Sequence, residues 1–286
     1  MKGEYAQAMS TSSTLGLLGA LAAMGCVPDT WVTLPAQDAG SRDVSAEAGP
    51  PDVPTDAGFR DMACLGAAVS LYHGEDDTDD GAGDRHAVRS RVGYAPGRVG
   101  RAFSFGGNRE PQYVELPADV GDFGVGDFTL GLWFSSSYSA GNQTILARRS
   151  ACWNRPVFTG QDIRLAYNGR LFVELWSSAG SFTLASEPGL NDGRWHHLAI
   201  VRAGTTARLF VDAVPVATTP LPGSVGDTTE TPTYLGVGRC VQNAPGSNGT
   251  HDDTHWFTGR IDEVGFFARA LSEPELAALT RGDCVP

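Results

Sequence analysis

The sequence predicts an all-β fold, a sandwich or jelly roll finished by one short helix. Three observations carry this. Apolar residues alternate with period two in short runs, and turn pairs separate those runs. The 36 Gly and 17 Pro among 286 residues are also more punctuation than a helical protein carries.

The chain opens with something else. Leu15 to Met24 (LGLLGALAAM) is an apolar run too short to span a bilayer but suited to the core of an export signal. It leads directly into Ala23-Met24-Gly25-Cys26, which resembles a bacterial lipobox, where the Cys is lipidated and becomes the mature N-terminus. Cys26 is therefore the expected anchor of an exported cell-envelope lipoprotein; the competing reading is plain secretion after cleavage nearby. From Val27 to Arg60, Pro, Ala, Asp and Gly dominate, six acidic residues face two Arg, and no period exists. Such a segment cannot bury enough apolar surface to offset its ordering entropy. The expected order is a signal peptide at 1–25, a disordered acidic linker at 26–60 and one β domain at 61–286.

Within that domain Val114 and Leu116 alternate in QYVEL, and Phe128, Leu130, Leu132 and Phe134 in FTLGLWF, with Trp133 on the opposite face. Leu171, Val173 and Leu175 alternate in RLFVELWS, and Ala207, Leu209 and Val211 in ARLFVDA. Asn168-Gly169, Asp192-Gly193 and Ala203-Gly204 mark turns between them. The helix is announced by Ser272-x-x-Glu275, a capping box, with Pro274 in the first turn, Leu276 and Leu279 as its apolar stripe and Gly282 as its stop.

Six motifs occur in order: GRVGRAFSFGG (97–107), QYVELP (112–117), GDFTLGLWF (126–134), GRWHHLAIVR (193–202), ARLFVDAVPVA (207–217) and GRIDEVGFFARALSEPEL (259–276). The series resembles the laminin-G-like, concanavalin A-like jelly-roll family over nearly all of residues 62–286. The resemblance implies two curved antiparallel sheets packed face to face. There are two departures: the family's Asp-Gly after FSF is Gly106-Gly107 here, and its Asp-Gly hairpin after LFV is Asp212-Ala213.

Charge narrows the partners. The formal net charge of -12 excludes nucleic acid, which needs a basic footprint. No apolar run reaches the roughly 18 residues of a membrane span. With Cys26 set aside, Cys64, Cys152, Cys240 and Cys284 form an even set in an exported chain, so disulfides are expected, and three connectivities are open. In a jelly roll the first and last strands lie side by side, which favours Cys64–Cys284 and leaves Cys152–Cys240.

Catalysis on such a fold usually means glycoside hydrolysis by paired carboxylates. No strand carries acidic residues two apart, and Asp262 and Glu263 are adjacent. An enzyme is not expected. His197 shares its strand face with Trp195, Ala199 and Val201, and Asp262 shares its own with Val264 and Phe266, so both are expected to point inward. An inward carboxylate needs a partner, and a structural hydrogen-bond role is favoured over a metal ligand. The acidic loop Glu75 to Asp80, with Asp84, offers hard oxygen ligands for Ca²⁺. Asp76, Asp79 and Asp84, together with Asp262, are the candidate ligands; charge runs are more often plain solvated loops.

The binding candidates lie elsewhere. Trp153 and Asn154 follow Cys152, and His251, Asp252, Asp253 and His255 lie in the Gly- and Asn-rich insertion from Cys240 to Trp256. A Cys152–Cys240 bond would draw both groups to one rim, setting an aromatic ring beside convergent polar groups, as a sugar requires. The expectation is a monomeric, non-catalytic module whose partner is a glycan or a surface protein.

Overall fold

The computed structural model describes residues 68–107, 110, 112–149, 159–226, 231–241 and 251–281. All lie in the unit Asp52–Pro286. The signal segment, the linker, Cys26, Cys64, Cys152, Trp153, Asn154, Gly282 and Cys284 lie outside the described residues.

The chain forms a two-sheet antiparallel jelly-roll sandwich. The first sheet has eight strands in the order β13 (Val214–Pro220), β12 (Thr206–Val211), β11 (His196–Ala203), β6 (Phe128–Ser135), β17 (Thr258–Phe267), β4 (Arg101–Gly106) and β3 (Gly93–Pro96). Its eighth member, β1 (Ala68–Tyr72), pairs with the second half of β17. The second sheet runs β10 (Gly180–Ala185), β9 (Leu171–Ser177), β8 (Gly160–Leu165), β7 (Gln143–Arg149), β14 (Thr233–Leu235), β5 (Tyr113–Leu116) and β2 (Arg89–Arg91). A separate hairpin joins β15 (Gly238–Val241) to β16 (His251–Thr254). The alternating residues of FTLGLWF, LFVEL and ARLFV all enter the core between the two sheets, as their period requires.

The capping box forms as read from the sequence. Ser272 N–H donates to Glu275 Oε2 at 2.7 Å, and helix α1 (Glu273–Arg281) begins there. The helix lays Leu276 and Leu279 on the outer face of the eight-stranded sheet, against Leu71, Phe210 and Phe267, and so builds a second apolar layer. Each buried leucine contributes about 1.5–3 kcal/mol there.

Two expectations about orientation are corrected. β17 is bulged between Asp262 and Gly265, where Glu263 adopts φ 50°. The extra residue shifts the alternation, so Val264 and Phe266 enter the core while Asp262 faces outward across from Trp133. His197 pairs with Trp133 and shares its face with Ala199 and Val201, as expected. That face, however, looks toward the second apolar layer and not into the sandwich. The stretch from Cys240 to Trp256, expected to be a loop insertion, begins within β15 and contains its partner strand β16.

Candidate functional site

The two sheets use their outer faces differently. The eight-stranded sheet covers much of its outer face with α1. The seven-stranded sheet turns polar and aromatic groups outward, and period two dictates which. On β8, Ile163 and Leu165 enter the core, so Asp162 and Arg164 point out. On β9, Leu171, Val173 and Leu175 point in, leaving Phe172, Glu174 and Trp176 outside. On β5 the outward pair is Tyr113 and Glu115, and β14 adds Tyr234 across from Glu115.

Asp162 and Glu174 are cross-strand partners, which alone would be a repulsive pair. Arginines resolve it. Arg149 donates from Nη2 to Asp162 Oδ2, Arg164 donates from Nη2 to Glu174 Oε2, and Arg164 Nε lies 3.4 Å from Asp162 Oδ2. Arg149 and Asp162 are buried, and burial lowers the Arg164 pKa. Charges so buried persist only when paired. Not every polar atom of this floor is satisfied within the described residues: Asp162 Oδ1, Thr144 Oγ1 and His255 Nδ1 are buried with no hydrogen-bond partner among them.

A second group continues the face. The Arg239 guanidinium lies 4.4 Å from the Tyr113 ring centre and 5.1 Å from that of Tyr234. The two rings meet edge to face at 6.3 Å. Burial, with Glu115 nearby, pushes the Tyr234 hydroxyl pKa up to about 12.

The predicted binding residues meet this face in part. β15 packs against β7, and within the hairpin Cys240 stands opposite Asp252, Arg239 opposite Asp253, and Val241 opposite His251. His255 follows at φ 54°, its carbonyl accepting the Thr144 N–H at 2.7 Å. Burial lowers the His255 pKa, and the neighbouring Arg164 and Arg149 lower it further, so the structure brings His255 to the charge ladder. The segment that contains Trp153 and Asn154 joins the end of β7 to the start of β8, the two strands that carry that ladder.

The four metal candidates are not gathered. Asp76 Oδ1 accepts Arg101 Nε–H at 2.7 Å, Asp79 Oδ1 lies 3.4 Å from His86 Nδ1, and Asp84 is exposed. Asp262 Oδ2 instead accepts the N–H groups of Arg98 and Val99. Asp80, which was not singled out, is the buried member of the loop and accepts from Leu71, Ala82 and Arg85 N–H. Among the described residues no three His, Cys, Asp or Glu side chains converge on a point that could hold an ion. This donor set does not fit a cation.

Arg149, Asp162, Arg164, Glu174, Tyr113, Tyr234 and Arg239 are the residues sequence reasoning missed. Their signal was present: the outward positions of GQDIRL and LFVELW are charged or aromatic, where an idle face would carry Thr and Ser. Chemically the ladder suits binding better than hydrolysis, since a glycosidase needs one carboxyl that holds a proton and here a guanidinium engages each.

A family model described as the concanavalin A-like lectin/glucanases superfamily matches residues 107–277. Among solved structures, domain 4 of AbnA, a GH43 extracellular arabinanase from Geobacillus stearothermophilus, in complex with arabinotriose, is similar at TM-score 0.53 and 18% identity, over 74% of this chain and 98% of that one. The binding domain of botulinum neurotoxin DC in complex with SialylT aligns at TM-score 0.54 and 12% identity, over 76% of this chain and 52% of that one. The same domain in complex with rat synaptotagmin II aligns at 0.54 and 12%, covering 75% and 51%. The chain thus spans about half the length of the neurotoxin domains. At these identities the likeness is one of fold. No curated protein matches the chain in sequence.

Proposed function

This chain belongs to the concanavalin A-like lectin/glucanases superfamily, and from that premise we propose that it is a non-catalytic glycan-binding module held on the cell envelope through Cys26. One observation carries the binding reading. The outer face of the seven-stranded sheet is built of buried, cross-braced Arg and carboxylate groups beside Tyr113 and Tyr234, in place of the bland polar surface that folding alone requires. Aromatic ring faces with fixed donors and acceptors are what a hydroxyl-rich ligand needs. The hairpin strand with His251, Asp252 and Asp253, followed by His255, pairs with β15, which packs against β7, and in the sequence Trp153 and Asn154 fall between β7 and β8. That placement supports a binding rim formed by these residues over this face. The arabinotriose complex of the AbnA domain is consistent with a saccharide ligand on this fold.

A second reading is contact with a surface protein, favoured by the synaptotagmin II complex of a neurotoxin domain of the same fold. Anchoring rests on the apolar run ending at Cys26. An immobilised glycan panel, run with and without calcium, tests the first reading. Retention of a defined saccharide class supports it, and uniform failure beside capture of a surface protein favours the second.

A further inference from the structure

We propose that the turn end of the β8–β9 hairpin binds an extended oligosaccharide chain, with two of its sugar rings stacked on Tyr167 and Phe172; the proposal rests on the glycan-binding reading above. Exposure singles these residues out. Six large hydrophobic side chains are exposed among the described residues, and four of them are Val. The two aromatic ones are Tyr167 at 62% and Phe172 at 37%, both in this one hairpin. Single apolar residues scattered on a surface need no explanation, but two large rings on one turn do. Other rings of the same sheet are covered: Trp176 and Tyr234 are buried.

The backbone that carries the rings is held in place before any ligand arrives. Ala166 N–H donates to Arg170 O and Gly169 N–H to Ala166 O, both at 2.8 Å, which closes the turn. The neighbouring segment fastens it from outside: Asn191 Nδ2 donates to Tyr167 O at 3.0 Å, and Leu190 N–H donates to Gly169 O at 2.9 Å. Gly169 sits at φ 79°, and a side chain there would collide with Asn191 and Leu190 N. A platform fixed in this way loses little freedom on binding. Phe172 stands on the outer face of β9, across from Arg164 on β8 and Ala185 on β10. A strand rise of about 3.4 Å per residue sets it roughly 7 Å beyond Arg170, at the end of the turn, so the two rings call for a chain of sugars and not for one. The groups around them are polar and fixed. Arg164 pairs with Glu174, and Arg170 Nε–H donates to Ser186 O at 2.8 Å while its guanidinium lies 5.7 Å from the Phe172 ring centre. These groups break up the apolar surface, which a protein partner would need as a continuous interface core. Separate rings set among donors and acceptors match a sugar chain, where apolar ring faces alternate with hydroxyls.

The competing explanation is that Phe172 only covers Arg170 and that Tyr167 is an idle turn residue. Binding by the full chain separates the two. Homologous mono- to tetrasaccharides of arabinan, glucan, galactan and polyuronate are titrated against the wild type, Tyr167→Ala, Tyr167→Phe, Phe172→Ala and Phe172→Leu. Melting temperature and sedimentation are recorded for each protein. The expected result is affinity that climbs with chain length in one series. Tyr167→Ala and Phe172→Ala should each weaken its longest member about tenfold or more, while Tyr167→Phe binds like the wild type. Phe172→Leu keeps an apolar cover over Arg170 and loses the ring, so it should hold the melting temperature yet bind as weakly as Phe172→Ala. Wild-type binding by Phe172→Leu, or a monosaccharide held as tightly as its tetrasaccharide, would overturn the proposal. So would alanine variants that bind glycan unchanged but no longer self-associate, since the rings would then meet a second copy of the chain. If a glycan is retained and neither alanine variant weakens it, this proposal fails and the glycan reading stands. If no glycan is retained, the glycan reading fails and takes this proposal with it.

Discussion

Asp262 on β17 stands directly across from Trp133 on β6, on the outer face of the eight-stranded sheet. Its Oδ2 accepts the N–H groups of Arg98 and Val99 at 2.7 and 3.0 Å, and the Arg98 guanidinium sits 4.8 Å from the Trp133 ring centre. The carboxyl group therefore fastens the turn between β3 and β4 onto the sheet. Burial, with Glu263 adding repulsion, raises its pKa to about 8 from 3.8.

That shift has a definite sign. A raised folded pKa gives stability that is fully present below the unfolded value and lost as pH rises through the folded one, here from about pH 4 to pH 8. Asp262→Asn keeps an oxygen for the two N–H donors and removes the ionisation. Its stability relative to wild type should therefore improve steadily across that window in urea denaturation. Parallel curves for the two proteins would show that Asp262 does not change its protonation there.

His196 supplies a second test of the same sign, this time from a base. Its Nδ1 lies 2.9 Å from Asp212 Oδ2 and its Nε2 lies 3.1 Å from Asp192 Oδ1, and the bond to Asp212 leads in raising its pKa. The stability this gives is present below the unfolded value near 6.5 and lost as pH rises through the raised folded value. Asp212→Asn retains the positive φ of 50° and an acceptor for His197 N–H. The variant's His196 titration, followed by NMR, should fall toward the ordinary value. His197, held near 4 by burial against the opposing pull of Asp212, should stay below the ordinary value in both proteins.

The anchor prediction is cellular. Cys26→Ser should move the protein from the membrane pellet to soluble fractions. A variant that stays in the pellet, or a mature protein starting at another residue, removes the lipoprotein reading.

Pairing of the other cysteines as Cys64–Cys284 and Cys152–Cys240 is read by non-reducing peptide mapping, where a Cys64–Cys152 peptide would overturn it. Closing the longer loop should contribute about 5 kcal/mol in the chain-entropy account, so reduction should lower the denaturation midpoint.

How much of this was legible follows from what each signal depends on. FTLGLWF and the Ser272/Glu275 cap are local patterns, and both formed where the sequence put them. The bulge at Glu263 depends on pairing with β6, which no local pattern in RIDEVGFF reveals; it reversed the face assigned to Asp262. The strand His251–Thr254 was invisible because HDDT has no apolar alternation, and its only visible warrant is its partner Gly238–Val241. The charge ladder was half legible. Alternation in RLFVELWS implies the outward position of Glu174, and GQDIRL carries the same signal for Asp162, but only the register makes the two opposite each other, with Arg164 between.

Trp153 gives the sharpest test of the rim. It follows Arg149 by four positions in the sequence, between the strands β7 and β8 that carry the Arg149–Asp162 pair. If it stacks on a saccharide there, Trp153→Ala should cost about 1–3 kcal/mol of glycan affinity, by analogy with other ring-stacking contacts. The melting temperature should hardly move, because a ring that faces ligand contributes little to packing. Calorimetric titration and thermal denaturation of the same preparation separate the outcomes. A variant that binds normally yet melts early would make Trp153 a packing residue and remove it from the site.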